Sequence, residues 1–169
     1  KGNKTQPKIE GGLNHFVALK GDGTVWTWGY NPQGNLGLGD KTNRYKPTKI
    51  NIENVVDISA GYNHTLLVTK DGKIYSFGSN SYGQLGRSEN TLLPKEIPNL
   101  ENIEKVSAGN YHSMAIDKEG NVYTWGYNQN GQLGDGTTIK SNSFHKVKLN
   151  NNGDYLENIV AIAAGNVSS

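Results

Sequence analysis

The chain has 169 residues, 34% of them apolar, with a net charge of +2 and no cysteine. So small a charge leaves no footprint for a nucleic acid, and zero Cys excludes disulfides, Cys-based metal sites and Cys nucleophiles. No apolar run approaches the roughly 18 residues of a membrane-crossing helix, so membrane insertion is not expected either.

In chain order, the first predicted hairpin runs from His15 to Asp22-Gly23 and back through Val25-Trp26-Thr27-Trp28. Asp-Gly between apolar runs is a strong hairpin signal, because both central residues of the favoured turn need positive φ. A short strand over residues 55–59 then leads into Ala60-Gly61. From His64 the chain runs to Asp71-Gly72 and returns through Ile74-Tyr75-Ser76-Phe77. The third set repeats this: residues 103–107, Ala108-Gly109, His112, Glu119-Gly120, and Val122-Tyr123-Thr124-Trp125. The return strands place aromatics on one face at period two. The outgoing strands are apolar at consecutive positions, as in Leu66-Leu67-Val68, so both of their faces are expected to be buried. A last strand is expected in each set, at residues 47–51, 94–98 and 144–149.

One period underlies all of this. His15, His64 and His112 fall at steps of 49 and 48 residues, and Trp28, Phe77 and Trp125, each followed by Gly, keep the same steps. So do Gly34-Asn35-Leu36-Gly37, Gly83-Gln84-Leu85-Gly86 and Gly131-Gln132-Leu133-Gly134. The chain thus holds three repeat units, about 7–54, 55–102 and 103–158, and a partial fourth over 159–169, in a single domain. The third carries an insertion of about eight residues near 150–156, and Ser168 stands where the other units have His. Four antiparallel strands per unit, covered on both faces by neighbours, make an all-β propeller blade.

The runs Ala60-Gly61-Tyr62-Asn63-His64, Tyr75-Ser76-Phe77-Gly78-Ser79-Asn80 and Tyr82-Gly83-Gln84-Leu85-Gly86 resemble the regulator of chromosome condensation repeat. Trp28-Gly29-Tyr30-Asn31 and Trp125-Gly126-Tyr127-Asn128 match as well. The resemblance implies a propeller with seven blades in complete members, roughly 340 residues at this period. Three blades and one strand of a fourth form a partial ring. They are expected either to belong to a longer chain or to self-associate through open blade edges, with the strand over 159–164 seeking a partner. The Asn/Lys/Ile bias points to a low-GC bacterium, and a bacterial member to an extracellular or cell-surface setting.

Candidate sites divide into repeated and varying positions. The three histidines are separated by rotation about the propeller axis and cannot converge on one ion, so they are expected to be structural. The Asp-Gly pairs lack the alternating acidic spacing of a calcium loop, and Gly34-Asn35-Leu36-Gly37-Leu38-Gly39 lacks a phosphate-loop ending. Trp26, Trp28 and Trp125 are expected in the core. The cluster Lys41, Arg44, Lys46 and Lys49 reads as a solvated loop, and the sequons at Asn3, Asn63 and Asn166 as chance matches. No catalytic residue, cofactor or metal site is expected.

The varying positions are Leu13-Asn14, Tyr62-Asn63, Asn110-Tyr111 and Asn166-Val167 before each histidine position, and Tyr30, Ser79 and Tyr127 after each aromatic-Gly pair. They fall in turns at one propeller face, where Tyr and Asn suit a protein partner. The expected function is therefore protein binding through Leu13, Asn14, Tyr30, Tyr62, Asn63, Asn110, Tyr111 and Tyr127, with inhibitor or cell-surface roles as its finer forms. The alternatives are an enzyme with its site at the channel mouth, which needs convergent acid, base or metal groups, and a purely structural array.

Overall fold

The computed structural model describes residues 5–165. It holds three four-stranded antiparallel sheets, each a simple meander, and no helix among the described residues. Blade 1 comprises β1 (Lys8–Gly11), β2 (His15–Leu19), β3 (Val25–Gly29) and β4 (Arg44–Lys49). Blade 2 comprises β5 (Val55–Ala60), β6 (His64–Thr69), β7 (Ile74–Gly78) and β8 (Thr91–Glu96). Blade 3 comprises β9 (Ile103–Ala108), β10 (His112–Asp117), β11 (Val122–Gly126) and β12 (Ser141–Lys146). The ring is open.

The outermost strands begin three residues earlier than the sequence suggests. Arg44, Thr91 and Ser141 already pair with Gly29, Gly78 and Gly126, because a break in register lets each strand skip one partner and resume. The Pro residues Pro47 and Pro94 then lie inside edge strands, where a missing N–H costs no ladder bond. Asn54, Asn102 and Asn158, at φ of 58°, 58° and 60°, make the turns that lead from one unit to the next.

Two apolar layers lie between the blades. One joins Val17, Leu19 and Val25 of blade 1 to Ile58, Leu67 and Phe77 of blade 2. The other joins Leu66, Val68 and Ile74 of blade 2 to Val106, Ala115 and Trp125 of blade 3. Strand β6 is buried throughout, so its run of consecutive apolar residues feeds both layers. Phe77 and Trp125 reach back onto the tetrad of the preceding blade. A Cβ on Gly37 would come within 2.8 Å of the Phe77 ring, and one on Gly86 within 3.1 Å of Trp125 Nε1. Trp28 has no such neighbour. It is only half-buried and stacks on Phe16 at 5.5 Å on the open side of blade 1, and Trp26 is also half-buried, so only Trp125 is core in the full sense.

Two of the three repeat histidines are latches to the next blade. His15 Nε2 lies 3.1 Å from Thr65 Oγ1, and His64 Nε2 lies 2.9 Å from Ser113 Oγ. Each hydroxyl gives its single hydrogen back to the histidine's own blade, Thr65 to the Asn35 carbonyl at 3.1 Å and Ser113 to the Gln84 carbonyl at 2.8 Å. The hydroxyls must therefore accept from Nε2–H, which fixes the tautomer and leaves Nδ1 bare. Nδ1 of His15 and His64 is buried without a partner. Burial lowers the His15 pKa to about 4; burial, then the charges of His15 and His112, lowers that of His64 to about 3. A Cβ on Gly61 would collide with the His64 ring, so the glycine of the Ala-Gly pair makes room for the latch.

Residues 159–165 form no paired strand, contrary to the expected fourth inner strand, but they follow its path. Ile159 N–H donates to the Gly120 carbonyl at 3.1 Å, as Val55 and Ile103 donate to Gly23 and Gly72. Ala164 N–H donates to Ser107 Oγ at 2.7 Å, as Ala108 N–H donates to Ser59 Oγ at 3.0 Å. The segment occupies the inner-strand position of a further blade without the second strand it would pair with. Ser168, and with it Asn166-Val167, lies outside the described residues.

Two outcomes follow from the latch. Both rings are neutral when folded, whereas the unfolded chain protonates them near pH 6.5. Stability is full above that pH and falls as pH drops toward the folded values, by roughly 1.4 kcal/mol per pH unit for each ring. Urea midpoints measured from pH 7 to pH 4 check this, and His64→Ala flattens the profile while costing about 1–3 kcal/mol at pH 7. Gly61→Ala costs about 2–3 kcal/mol by overpacking against His64, whereas Gly21→Ala, with its nearest neighbour at 3.6 Å, is close to neutral in the same assay.

Candidate functional site

The turns that precede each histidine ring the channel mouth on one face. Leu13 N–H donates to the Tyr62 carbonyl and Tyr62 N–H to the Asn110 carbonyl, both at 3.2 Å, so each turn is tied to the next blade. The turns that follow β3, β7 and β11 are tied to them in turn. Tyr30, Ser79 and Tyr127 N–H donate to the carbonyls of Asn14, Asn63 and Tyr111 at 2.8, 2.8 and 2.9 Å. The two varying sets are thus one surface, with backbone positions fixed before any partner arrives.

The outer part of that surface is built by an asparagine in each blade, Asn31 and Asn128 fully buried and Asn80 half-buried. Asn80 Oδ1 accepts from Leu85 N–H at 3.0 Å, and Asn31 and Asn128 clip Leu36 and Leu133 in the same way. Ser76 Oγ donates to the Leu85 carbonyl at 2.7 Å, and Gln84 Oε1 accepts from Tyr82 N–H at 2.9 Å. In blade 1 the shorter Asn35 reaches the Tyr30 carbonyl instead. Tyr82 therefore stands on a loop locked to its own sheet.

At the seam between blades 2 and 3 this scaffold gathers four tyrosines. Tyr62 and Tyr111 lie 5.3 Å apart, Tyr111 and Tyr82 5.0 Å, Tyr82 and Tyr127 5.1 Å, and Tyr111 and Tyr127 6.2 Å between ring centres. Tyr111 is the hub, touching the other three. Tyr82 is exposed and the others half-buried. Burial, then the adjacent Tyr62 and Tyr82, raises the Tyr111 pKa above the ordinary phenol value, so its hydroxyl remains a donor at neutral pH. Tyr127 Oη lies 2.6 Å from Gln129 Oε1, to which it donates.

The seam between blades 1 and 2 has no counterpart. There Leu13, Asn63, Gln33 and Ser79 occupy the matching repeat positions. Of the residues expected from sequence, Tyr62, Tyr111 and Tyr127 come together, with Asn63 and Asn110 in the same turns. Leu13, Asn14 and Tyr30 belong to blade 1 and form no part of the aromatic cluster; Tyr30 is 48% exposed. Tyr82 was missed, although it too varies between units, standing where Gln33 and Asn130 precede the glycine of the tetrad.

Beside the ridge a cavity of about 360 Å³ opens at the channel mouth, lined mainly by the backbone of Gly12, Gly61 and Gly109 and their neighbours. The opposite mouth is wider, about 1000 Å³, and mixed in charge, with Lys8, Asp57, Lys70, Glu104, Lys105 and Lys118 on its wall. Lys8 there donates to Asp57 Oδ1 at 2.9 Å. Among the described residues no three His, Asp or Glu side chains converge as metal ligands would.

Comparison with known proteins places this geometry among relatives. A family model described as the RCC1-like domain matches residues 3–169. Prp20p of Saccharomyces cerevisiae, whose crystal structure was described with its binding properties to Gsp1p and histones, superimposes with a TM-score of 0.82. The identity is 26%, covering 94% of this chain and 41% of that one. The structure of Kap60 bound to yeast RCC1 (Prp20) gives 0.77 at 27% identity, covering 86% and 37%. The ultraviolet-B receptor UVR8 of Arabidopsis thaliana is 40% identical over 42 residues, 25% of this chain and 10% of the receptor. This chain thus spans about two fifths of the Prp20p chain and a tenth of the receptor.

The cluster should be energetically coupled. A double-mutant cycle between Tyr62→Ala and Tyr111→Ala is expected to return about 0.5–1.5 kcal/mol of interaction in equilibrium unfolding. The same cycle between Tyr30→Ala and Tyr111→Ala should return a value near zero.

Proposed function

The chain belongs to the RCC1-like domain family, and from that premise we propose that it is a protein-binding propeller module whose contact surface is the tyrosine ridge Tyr62, Tyr82, Tyr111 and Tyr127. The observation that carries this is the break in symmetry. Repeated residues build blades, so an aromatic cluster present at one seam and absent from the next is surplus to the architecture. Its rings are large, partly exposed and held by fixed backbone, which is the composition of an interface anchor. Relatives bind proteins, Prp20p being described with Gsp1p, histones and Kap60. Inhibitory and cell-surface roles are the finer forms of this reading, and each would use the ridge as its contact.

An enzymatic role finds less support. Its chemistry would need acid, base or metal groups converging at a channel mouth; the ridge side offers phenols, amides and backbone, and at the opposite mouth Asp57 is engaged by Lys8 and by the Val106 N–H. The buried histidines are bound into latches rather than aimed at solvent.

Affinity capture from cells of the source organism, with wild-type chain and a Tyr82→Ala/Tyr111→Ala variant side by side, tests the reading. A specific partner should lose about 2 kcal/mol or more of affinity to the double variant, roughly thirtyfold in Kd. Tyr30→Ala should leave that Kd unchanged. A partner bound equally by wild type and double variant would move the contact to the charged opposite mouth or the rim.

A further inference from the structure

We propose that the tyrosine ridge takes an uncharged, proline-rich peptide in polyproline II conformation, an inference that rests on the ridge being the contact surface. Three features of the ridge point to that chemistry.

The first is charge. The turns that carry and flank the rings, residues 61–63, 79–84, 109–111 and 127–132, contain no Asp, Glu, Lys or Arg. The cations that reach them are Lys140, whose Nζ donates to the Ser81 carbonyl at 3.2 Å, and Lys41, which lines one cavity with Ser79 and Ser81. The Asp135 carboxylate is taken up by Asn128 and Thr137, so a basic tail finds no free carboxylate among these turns, and a nucleic acid finds too few cations to neutralise several phosphates. The ridge suits a neutral ligand.

The second is the tilt of the rings. Successive planes are inclined at 46°, 53° and 84° along Tyr62, Tyr111, Tyr82 and Tyr127. Rings packed this way cover part of one another's flat faces and leave wedges between them. A flat sugar or base stacks on an open face, whereas a pyrrolidine ring, compact and puckered, fits a wedge. Tyr111, Tyr82 and Tyr127 form a compact triangle with sides of 5.0, 5.1 and 6.2 Å, and Tyr62 stands beside it, so one proline ring of a polyproline II helix sits in a wedge while the extended helix crosses the cluster.

The third is hydrogen bonding. A polyproline II segment carries carbonyls with no internal donors. The ridge supplies donors at its rim. The Tyr111 hydroxyl stays protonated, and Gln129, whose Oε1 accepts from Tyr127, keeps its amide N–H free to turn outward. Ligand and surface are both preformed, so little ordering entropy opposes the contact.

Isothermal titration of the 169-residue chain with capped decaproline, a capped glycine–serine decamer and a capped proline-free arginine-rich decamer tests this. Decaproline should bind at least tenfold more tightly than either other peptide. Tyr82→Ala and Tyr111→Ala should each weaken it at least tenfold, with the melting temperature of Tyr82→Ala lowered by no more than about 5 °C and the variant fully folded at the titration temperature. Tyr82→Phe, which keeps the wedge and loses only a hydroxyl, should weaken it about threefold or less. Decaproline binding that survives Tyr82→Ala undiminished would place the peptide elsewhere and overturn the proline assignment to the ridge, while partner capture decides the ridge itself. Ridge-dependent binding of the arginine-rich peptide in preference to decaproline would overturn the proline assignment and leave the ridge as the contact surface. Absence of decaproline binding at millimolar concentration overturns the proline assignment as well, while partner capture continues to decide the ridge independently.

Discussion

Everything in this structure depends on how one blade is fastened to the next, and the fastening is a neutral imidazole. His15 and His64 each donate Nε2–H across a seam to a hydroxyl, and that hydroxyl returns its own hydrogen to the histidine's blade. The exchange makes a relay of two hydrogen bonds that crosses the seam and returns, inside an apolar layer where an unmet donor costs about 1–3 kcal/mol. It also dictates residues that look unrelated. The glycine before each turn is needed because the imidazole lies where its Cβ would be, and the hydroxyl one position after the next histidine is needed as acceptor. The Asn35 and Gln84 carbonyls that receive those hydroxyls belong to the tetrads, so the tetrad loops are positioned by the same contact.

Function enters where this apparatus leaves freedom. Side chains that latch, clip or fill the layers are constrained in every unit, but the residues between Gly and His and those at the tips of the outer loops are held through their backbones alone. Tyr62 and Tyr111 are tied by N–H and C=O groups, Tyr82 by its N–H to Gln84, and Tyr127 by its N–H to Tyr111. The side chains at such positions can change without cost to the ring. That the chain places four phenols at one seam and Leu, Asn, Gln and Ser at the other is therefore a choice the fold does not require.

The fold was legible in the sequence because its signals are periodic and local. Trp28, Phe77 and Trp125 share one register, Asp-Gly pairs mark hairpins, and consecutive apolar residues in β6 announce burial on two sides. What was not legible depends on ends and on assembly. The outer strands begin earlier than their apolar residues suggest, because the edge of a blade needs backbone pairing rather than side-chain burial. Trp28 has the register of a core residue but is half-buried and stacks on Phe16 of its own blade rather than on a tetrad. The ridge was half legible. Tyr62, Tyr111 and Tyr127 stand out as varying positions, but their meeting with Tyr82 joins two loops of one blade to two of the next, a contact that no linear spacing encodes.

The latch also bears on how the open side of blade 1 can be covered. Thr65 and Ser113 follow their blades' histidines and receive the latch of the blade before; at the same position blade 1 carries Phe16, 47% exposed and stacked on Trp28. Any blade seated there with a histidine at the standard position would bury its Nε2–H against a phenyl ring. Copies of this chain joined end to end would meet that problem at each joint, His112 of one against Phe16 of the next, and forfeit about 1–3 kcal/mol per joint. Apolar area favours the joint, since Ile9 and Phe16 are exposed and Trp28 is half-buried beside them. The hydrogen-bond pattern opposes it. A neighbour without the histidine at that position meets no such conflict.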